Sequence, residues 1–159
     1  MDIHYRAIGT IRTPFTSVEG MPIQPPGAAG VHGRVEVDPE WVEGLRDLDG
    51  FSHVILLYHF HQAGECRLTV TPFLDSAAHG VLATRAPRRP NPIGLSVVRL
   101  LSVDGGTLHV EGIDVLDGTP LLDVKPYVPE FDHARVERLG WLEAGRDQVS
   151  AQRADGRFR

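Results

Sequence analysis

Arg85, Arg88 and Arg89 share eight positions with Pro87, Pro90 and Pro92 in RAPRRPNP, and the apolar run IGLSVV follows at once. Proline limits the backbone to extended or turn conformations and removes amide donors, so this segment is stiff before it meets anything. Guanidinium forks suit carboxylates and phosphates. Gly94 admits a close approach of the backbone to a ligand or a neighbouring strand. The chemistry on offer is anion recognition by a pre-formed loop; a surface turn that merely carries arginines has the same composition.

A second constellation is LDGTPLLDVKPY, residues 116 to 127. Asp117-Gly118 reads as a tight turn whose carboxylate accepts hydrogen bonds from hydroxyls or an ammonium group. Asp123 and Lys125 stand two apart in an extended segment and therefore share a face. They form either part of a site or an exposed ion pair worth less than about 1 kcal/mol. The third constellation is His59-Phe60-His61-Gln62. Period two points both histidines one way, as in a metal pair, but neither a cysteine nor an acidic cluster offers a third ligand. The preferred reading is that one histidine packs while the other, with Gln62, lines a pocket at the end of a strand. No metal site is expected, and His4, His32, His53, His79, His109 and His133 are given no role.

The elements that must position these groups read as mainly β. At 159 residues the chain suits one domain. A first strand is expected over 3–13, followed by PFTSVEGMPIQPPGAAG, whose four prolines and three glycines mark a binding loop. VHGRVEV alternates as a strand, and DPEWVEGLRDLDG carries a helix signature: Asp38 to cap, Pro39 at the first position, Gly50 past the end. FSHVILLYHFHQ is expected as a central strand, CRLTVTPF and HGVLATR as two more. Asp104-Gly105-Gly106 between two alternating runs is a hairpin signal. TPLLDVKPYVPEF is extended, and the tail from His133 holds at most one short helix before it frays. With seven or eight strands and one or two short helices, the expected architecture is an antiparallel sheet closed into a barrel.

Composition narrows the function classes. Cys66 is the single cysteine, which excludes an internal disulfide and any multi-cysteine zinc or iron-sulfur site. A net charge of −5 argues against indiscriminate coating of nucleic acid, although a local basic patch still serves for RNA. No G-x-G-x-x-G follows a strand, which disfavours a Rossmann cofactor site. No segment approaches about 18 uninterrupted apolar residues, and MDIHYRAIG lacks the pattern of a secretory leader. A cytoplasmic protein with no membrane partner is the expectation.

The blocks IGTIRTPF at 8–15, PIQPPG at 22–27, LDGFSHVILLYHFHQ at 48–62, GVLATRAPRRPNPIGLSVVRL at 80–100 and LDGTPLLDVKPYVPEFD at 116–132 occur in one order. Together they resemble the TrmO family, also called TsaA-like or YaeB-like, and span nearly all of 8–132. The resemblance implies a TsaA-like β-barrel over 1–145 with a polar tail over 146–159. It implies a homodimer that binds S-adenosyl-L-methionine near the subunit interface. The implied reaction is methylation of N6 of threonylcarbamoyl-adenosine next to the anticodon of tRNA. A small-molecule acceptor, or a non-catalytic module that binds the same nucleotide, remains an alternative. The expectation is that the C-terminal domain of longer members is absent.

Carried over by matching motif, the implied cofactor contacts are Pro26, Gly27 and Ala28 in the first loop, His61 and Gln62 after the long strand, Arg85 and Leu95 around the stiff turn, and Leu116, Asp117, Gly118 and Thr119 in the second turn. Leu95 and Leu116 suit apolar walls, Asp117 a hydroxyl or ammonium, and main-chain groups at Gly27 and Gly118 an adenine edge. Arg88, Arg89, Asn91, Lys125 and Tyr127 are assigned to the anticodon stem-loop, through phosphate or carboxylate contacts, base hydrogen bonding and stacking. Asn91, Asp123, Lys125 and Tyr127 form the candidate catalytic set. Neither a metal nor a covalent intermediate is expected.

Overall fold

The computed structural model describes residues 1–143 and 150–158. Alternation in the sequence produces its strands. In β3 (His53–His59) Val54, Leu56 and Tyr58 are buried while His53 and His59 are exposed. In β6 (Ile93–Asp104) Gly94, Ser96, Val98 and Leu100 take the inner positions. With β1 (Gly9–Arg12), β2 (His32–Val37), β7 (Thr107–Glu111) and β8 (Thr119–Pro126), they close an antiparallel barrel in the order β1-β2-β7-β6-β3-β8. Its interior is one cluster that includes Ile11, Val35, Val54, Leu56, Val98, Leu108, Val110 and Leu121. Closure leaves no unpaired sheet edge within the barrel. The β6–β7 hairpin turns at Gly105-Gly106, where Gly105 takes a left-handed φ of +56°.

A separate two-stranded sheet, β4 (Thr69–Val70) with β5 (His79–Gly80), stands beside the barrel. Val70, Val81 and Ala86 with Phe73 form its own small apolar cluster. CRLTVTPF and HGVLATR are therefore strands over two residues each. The chain leaves β5 for a 3-10 turn, Val81–Ala83, which buries Val81 in that cluster.

Other expectations are also corrected. Residues 1–7 are exposed, so the first strand shrinks to Gly9–Arg12, where β2 and β8 flank it. The expected helix over 38–50 consists of two 3-10 turns, Pro39–Leu45 and Leu48–Gly50, parted by Asp47 at φ +68°. Asp38 makes no side-chain capping bond, and Gly44 weakens a segment too short to sustain α-helical turns. The short α-helix α1 comes at Pro129–Asp132, earlier than expected. The tail does not fray throughout: Pro22 bridges Arg153, the Gly20 amide donates to Ala154 O at 2.8 Å, and the Ala154 amide donates to Met21 O at 2.8 Å. The expected boundary at 145/146 lies outside the described residues.

Candidate functional site

Antiparallel pairing carries the candidate segments to one rim of the barrel. His59 opposes Ile93, Tyr58 opposes both Gly94 and Leu121, and the Phe60 amide donates to the Pro92 carbonyl at 2.8 Å. The end of β3 thus lies beside the starts of β6 and β8, where the arginine-proline turn and the Asp117-Gly118 turn arrive. Three side-chain links fasten the assembly. Arg85 Nη1 donates to Gln24 Oε1 at 2.8 Å, which joins the stiff turn to the first loop. His61 Nδ1 and Thr119 Oγ1 are 3.2 Å apart, which joins β3 to the second turn. Asp117 Oδ1 accepts the Thr13 amide at 3.0 Å, which ties that turn to the segment after β1.

Proton placement at His61 follows from valence. The Thr119 hydroxyl donates to the Leu116 carbonyl at 2.7 Å, so its oxygen is left to accept from His61 Nδ1–H. Burial, and then the charge of His59, push the His61 pKa down. A neutral His61 protonated at Nδ1 keeps Nε2 as a free acceptor.

Asp117 is half-committed. Its amide donates to Phe15 O at 2.7 Å, while Oδ2 has only a long 3.9 Å contact with Arg12 Nη1. Gly118, at φ +77°, donates its amide to Ile11 O at 2.9 Å. Gly27, inside the 3-10 turn Pro25–Ala28, donates to Gln24 O at 2.9 Å. Both amides are used within the protein, so what these glycines offer an adenine amino group is their carbonyls. Pro26 shares that turn with Ala28, which is fully buried and anchors it.

The outer wall of the barrel supplies the rest. Leu95 pairs with Leu57, which pairs with Asp123; Val97 pairs with Ile55, which pairs with Lys125. Directly paired residues share a face, so Leu95, Asp123 and Lys125 belong to one outer surface, with Leu95 47% exposed. Leu116 is buried and supports its turn from beneath. Lys125 Nζ lies 2.8 Å from Asp123 Oδ2, and this bond raises the lysine pKa. Asp123 Oδ1 accepts the Val124 amide at 2.9 Å. A lysine held protonated this way is a cation for binding, not a base.

The remaining candidates separate. Arg89 turns back on its own loop, donating to Thr84 O at 3.0 Å and Ala86 O at 3.5 Å. Arg88 is half-buried, and Asn91 and Gln62 are exposed. The Tyr127 ring meets the His53 ring edge-on at 6.5 Å, and its amide donates to His53 O.

One group was not anticipated. Ser96 Oγ donates to Asp114 Oδ1 at 2.6 Å, so Tyr58 must donate its hydroxyl proton to Ser96 across 2.9 Å. Burial pushes the Asp114 pKa up to about 6, against the opposing pull of Ser96 and Arg85. Burial and the Asp114 charge likewise raise Tyr58. The available signal was a serine at an inward position of an apolar alternation. Among the described residues no cluster of three metal-ligating side chains occurs.

The chain has concordant relatives among known sequences and structures. The profile of the tRNA-methyltransferase O N-terminal domain matches residues 10–133. A probable S-adenosyl-L-methionine-binding protein of Pyrococcus abyssi is 53% identical over 156 residues, covering 98% of this chain and 85% of the relative. The tRNA (adenine(37)-N6)-methyltransferase of Homo sapiens is 39% identical over 134 residues, 79% of this chain but 30% of its own length. The crystal structure of TrmO from Pseudomonas aeruginosa superposes with a TM-score of 0.74 at 43% identity, over 89% of this chain and 63% of that one.

Proposed function

Because the chain belongs to the tRNA-methyltransferase O N-terminal-domain family, we propose that it transfers a methyl group from S-adenosyl-L-methionine to N6 of threonylcarbamoyl-adenosine beside the tRNA anticodon. The observation that carries this reading is the meeting of the first loop, the arginine-proline turn and the Asp117-Gly118 turn at one rim, linked by Gln24–Arg85 and His61–Thr119. The donor set suits that nucleotide. Asp117 has an oxygen available to a hydroxyl or ammonium, Arg85 suits a carboxylate, the carbonyls of Gly27 and Gly118 suit an amino group, and Leu95 gives an apolar wall.

Pro26, Gly27, Ala28, His61, Gln62, Arg85, Leu95, Leu116, Asp117, Gly118 and Thr119 would hold the cofactor. When bound, it supplies an electrophilic methyl on a sulfonium. The protein's own contribution is positioning: linked rigid turns fix the acceptor amine against the cofactor with little freedom left to lose. The positive charge at sulfur disappears in the reaction, so a moderately polar rim is better than a strongly anionic one, which would favour the ground state. Arg85 and the protonated Lys125 keep the rim from becoming so. Arg88, Asn91 and Lys125 are proposed for the anticodon stem-loop, and Asn91 and Asp123 for orienting the reacting base; Arg89 braces its own loop through Thr84 O and Ala86 O, and Tyr127 stands against His53 at the end of β3 away from this rim.

A homodimer is part of the proposal. Ile93, Leu95 and Val97 with cross-strand Ile55 and Leu57 make an apolar patch on the outer wall beside the cradle, with Ile93 39% exposed. A second copy placed there would close the cofactor site. No helix among the described residues is long and apolar enough to cross a membrane, and action in the cytoplasm, on tRNA, is proposed.

The test is incubation with methyl-labelled cofactor and bulk tRNA from a strain lacking its own enzyme, followed by nucleoside analysis. Label in methylated threonylcarbamoyl-adenosine is expected. Cofactor binding with no labelled nucleoside would overturn the reading in favour of a small-molecule acceptor or a binding module.

A further inference from the structure

A cavity of about 510 Å³ opens between the β4–β5 sheet and the arginine-proline turn, apart from the cofactor cradle. Arg67, Arg88 and Arg157 line it with the hydroxyl residues Thr69, Thr71 and Ser76. The three guanidinium groups come from three separate segments, and each segment is fixed. The Arg67 amide donates to Arg88 O at 3.1 Å. The Arg88 guanidinium lies against Gly64, where a Cβ would fall 2.7 Å from Nη2 and 2.9 Å from Nε. Arg157 arrives from the tail, donates to Pro72 O at 2.8 Å, pairs with Asp155 and covers the Phe73 ring.

Two of the three arginine charges in this cavity are left over. Asp75 also lines it, but its carboxylate accepts from His79 Nε2 at 2.8 Å and from the Ser76 and Ala77 amides. Among the described residues neither Arg67 nor Arg88 has an ion-pair partner, and Arg88 Nε is buried with no hydrogen bond. A guanidinium group with a buried, unpartnered donor is costly to keep unless a ligand satisfies it. In a protein of net charge −5 the cavity holds two arginines without a carboxylate partner, beside Arg157, which pairs with Asp155, and Asp75, which is occupied by His79. Guanidinium forks with surrounding hydroxyls are the donor set that phosphate oxygens accept.

We propose that this cavity is a second substrate contact, a phosphate subsite that takes a backbone phosphodiester of the bound RNA. Arg88 lies three residues from Arg85 of the cofactor cradle, so a ligand reaching both sites is a polymer rather than a single small anion. The inference rests on the tRNA reading above.

The test uses the full chain, an unmodified anticodon stem-loop RNA and inorganic phosphate as probes. Arg67→Ala changes an exposed residue and should weaken RNA binding about fivefold and reduce the slope of log affinity against log salt by about 0.7 to 0.9. Arg157→Ala should act in the same direction. Calorimetric affinity for the cofactor should not change in Arg67→Ala. Inorganic phosphate should compete with RNA on the unmodified protein, beyond chloride of equal ionic strength, and lose that effect in Arg67→Ala. Unchanged RNA affinity and salt slope in Arg67→Ala would overturn the proposal, as would loss of phosphate binding with RNA binding intact, which marks a free-anion site. A protein that binds RNA through Arg67 but methylates no tRNA would refute the proposed function and leave the subsite standing.

Discussion

Asp114 holds a carboxyl group where burial favours the neutral form, and folding stability therefore depends on pH. The unfolded group ionises near its ordinary 3.8, while the folded one holds its proton up to about 6. Between those values the native state binds more protons than the unfolded chain, so stability falls as pH rises and the loss is complete above about 6. Asp114→Asn keeps an acceptor for Ser96 and removes the ionisation. It should flatten the pH dependence of the urea midpoint between pH 4 and 6 and add up to about 3 kcal/mol at pH 7.5; an unchanged slope would show that Asp114 does not titrate in that window. Residue type made Arg85 and Asp117 legible in the sequence as candidates, because each stands in a motif whose chemistry is visible without a fold, whereas the choice of His61 over His59 came from the family resemblance. Asp114 was not, since its partners Ser96 and Tyr58 come from other strands. Arg89 reads as an outward cation but turns inward. Pro87, Pro90 and Pro92 supply no amide donors to their neighbourhood, and the carbonyls of Thr84 and Ala86 take the guanidinium instead.

Among the elements, the second turn depends on Gly118. Its φ of +77° is unfavourable for any residue with a Cβ, while a methyl there meets only Arg12 Nη1 at 3.9 Å. Gly118→Ala should therefore cost about 1 to 2 kcal/mol through backbone strain alone. It should also weaken calorimetric cofactor affinity, because the turn carries Asp117 and Thr119. A stability loss without any change in affinity would remove this turn from the cofactor site. Strands β3 and β6 and the hairpin at Gly105-Gly106 were legible because alternation and turn chemistry agree with the tertiary solution. The segment 38–50 misled, because capping residues and an early proline serve a 3-10 turn as well as an α-helix. The short β4 and β5 were over-read for a different reason: their apolar residues fill a satellite cluster rather than a continuous sheet.

For the whole molecule, barrel closure follows from six alternating strands, so the architecture was the most legible feature of all. The outer apolar patch was not, because whether an outward leucine on one strand lies beside another depends on register. Leu57→Glu, at the centre of that patch, should shift sedimentation from dimer to monomer and lower cofactor affinity at least tenfold if the interface completes the site. An unchanged sedimentation coefficient in a protein that is dimeric to begin with would place the interface elsewhere. The far end of the chain bears on the same site from another direction. Residues 150–154 lie along the first loop, and Arg157 holds the segment at 71–73. A chain cut before Ser150, or one whose last residues are dragged aside by a bulky fusion, should have a loosened nucleotide clasp, seen as faster cofactor dissociation with the barrel's melting temperature little altered. Grip on the nucleotide would then report whether the C-terminal end is moored.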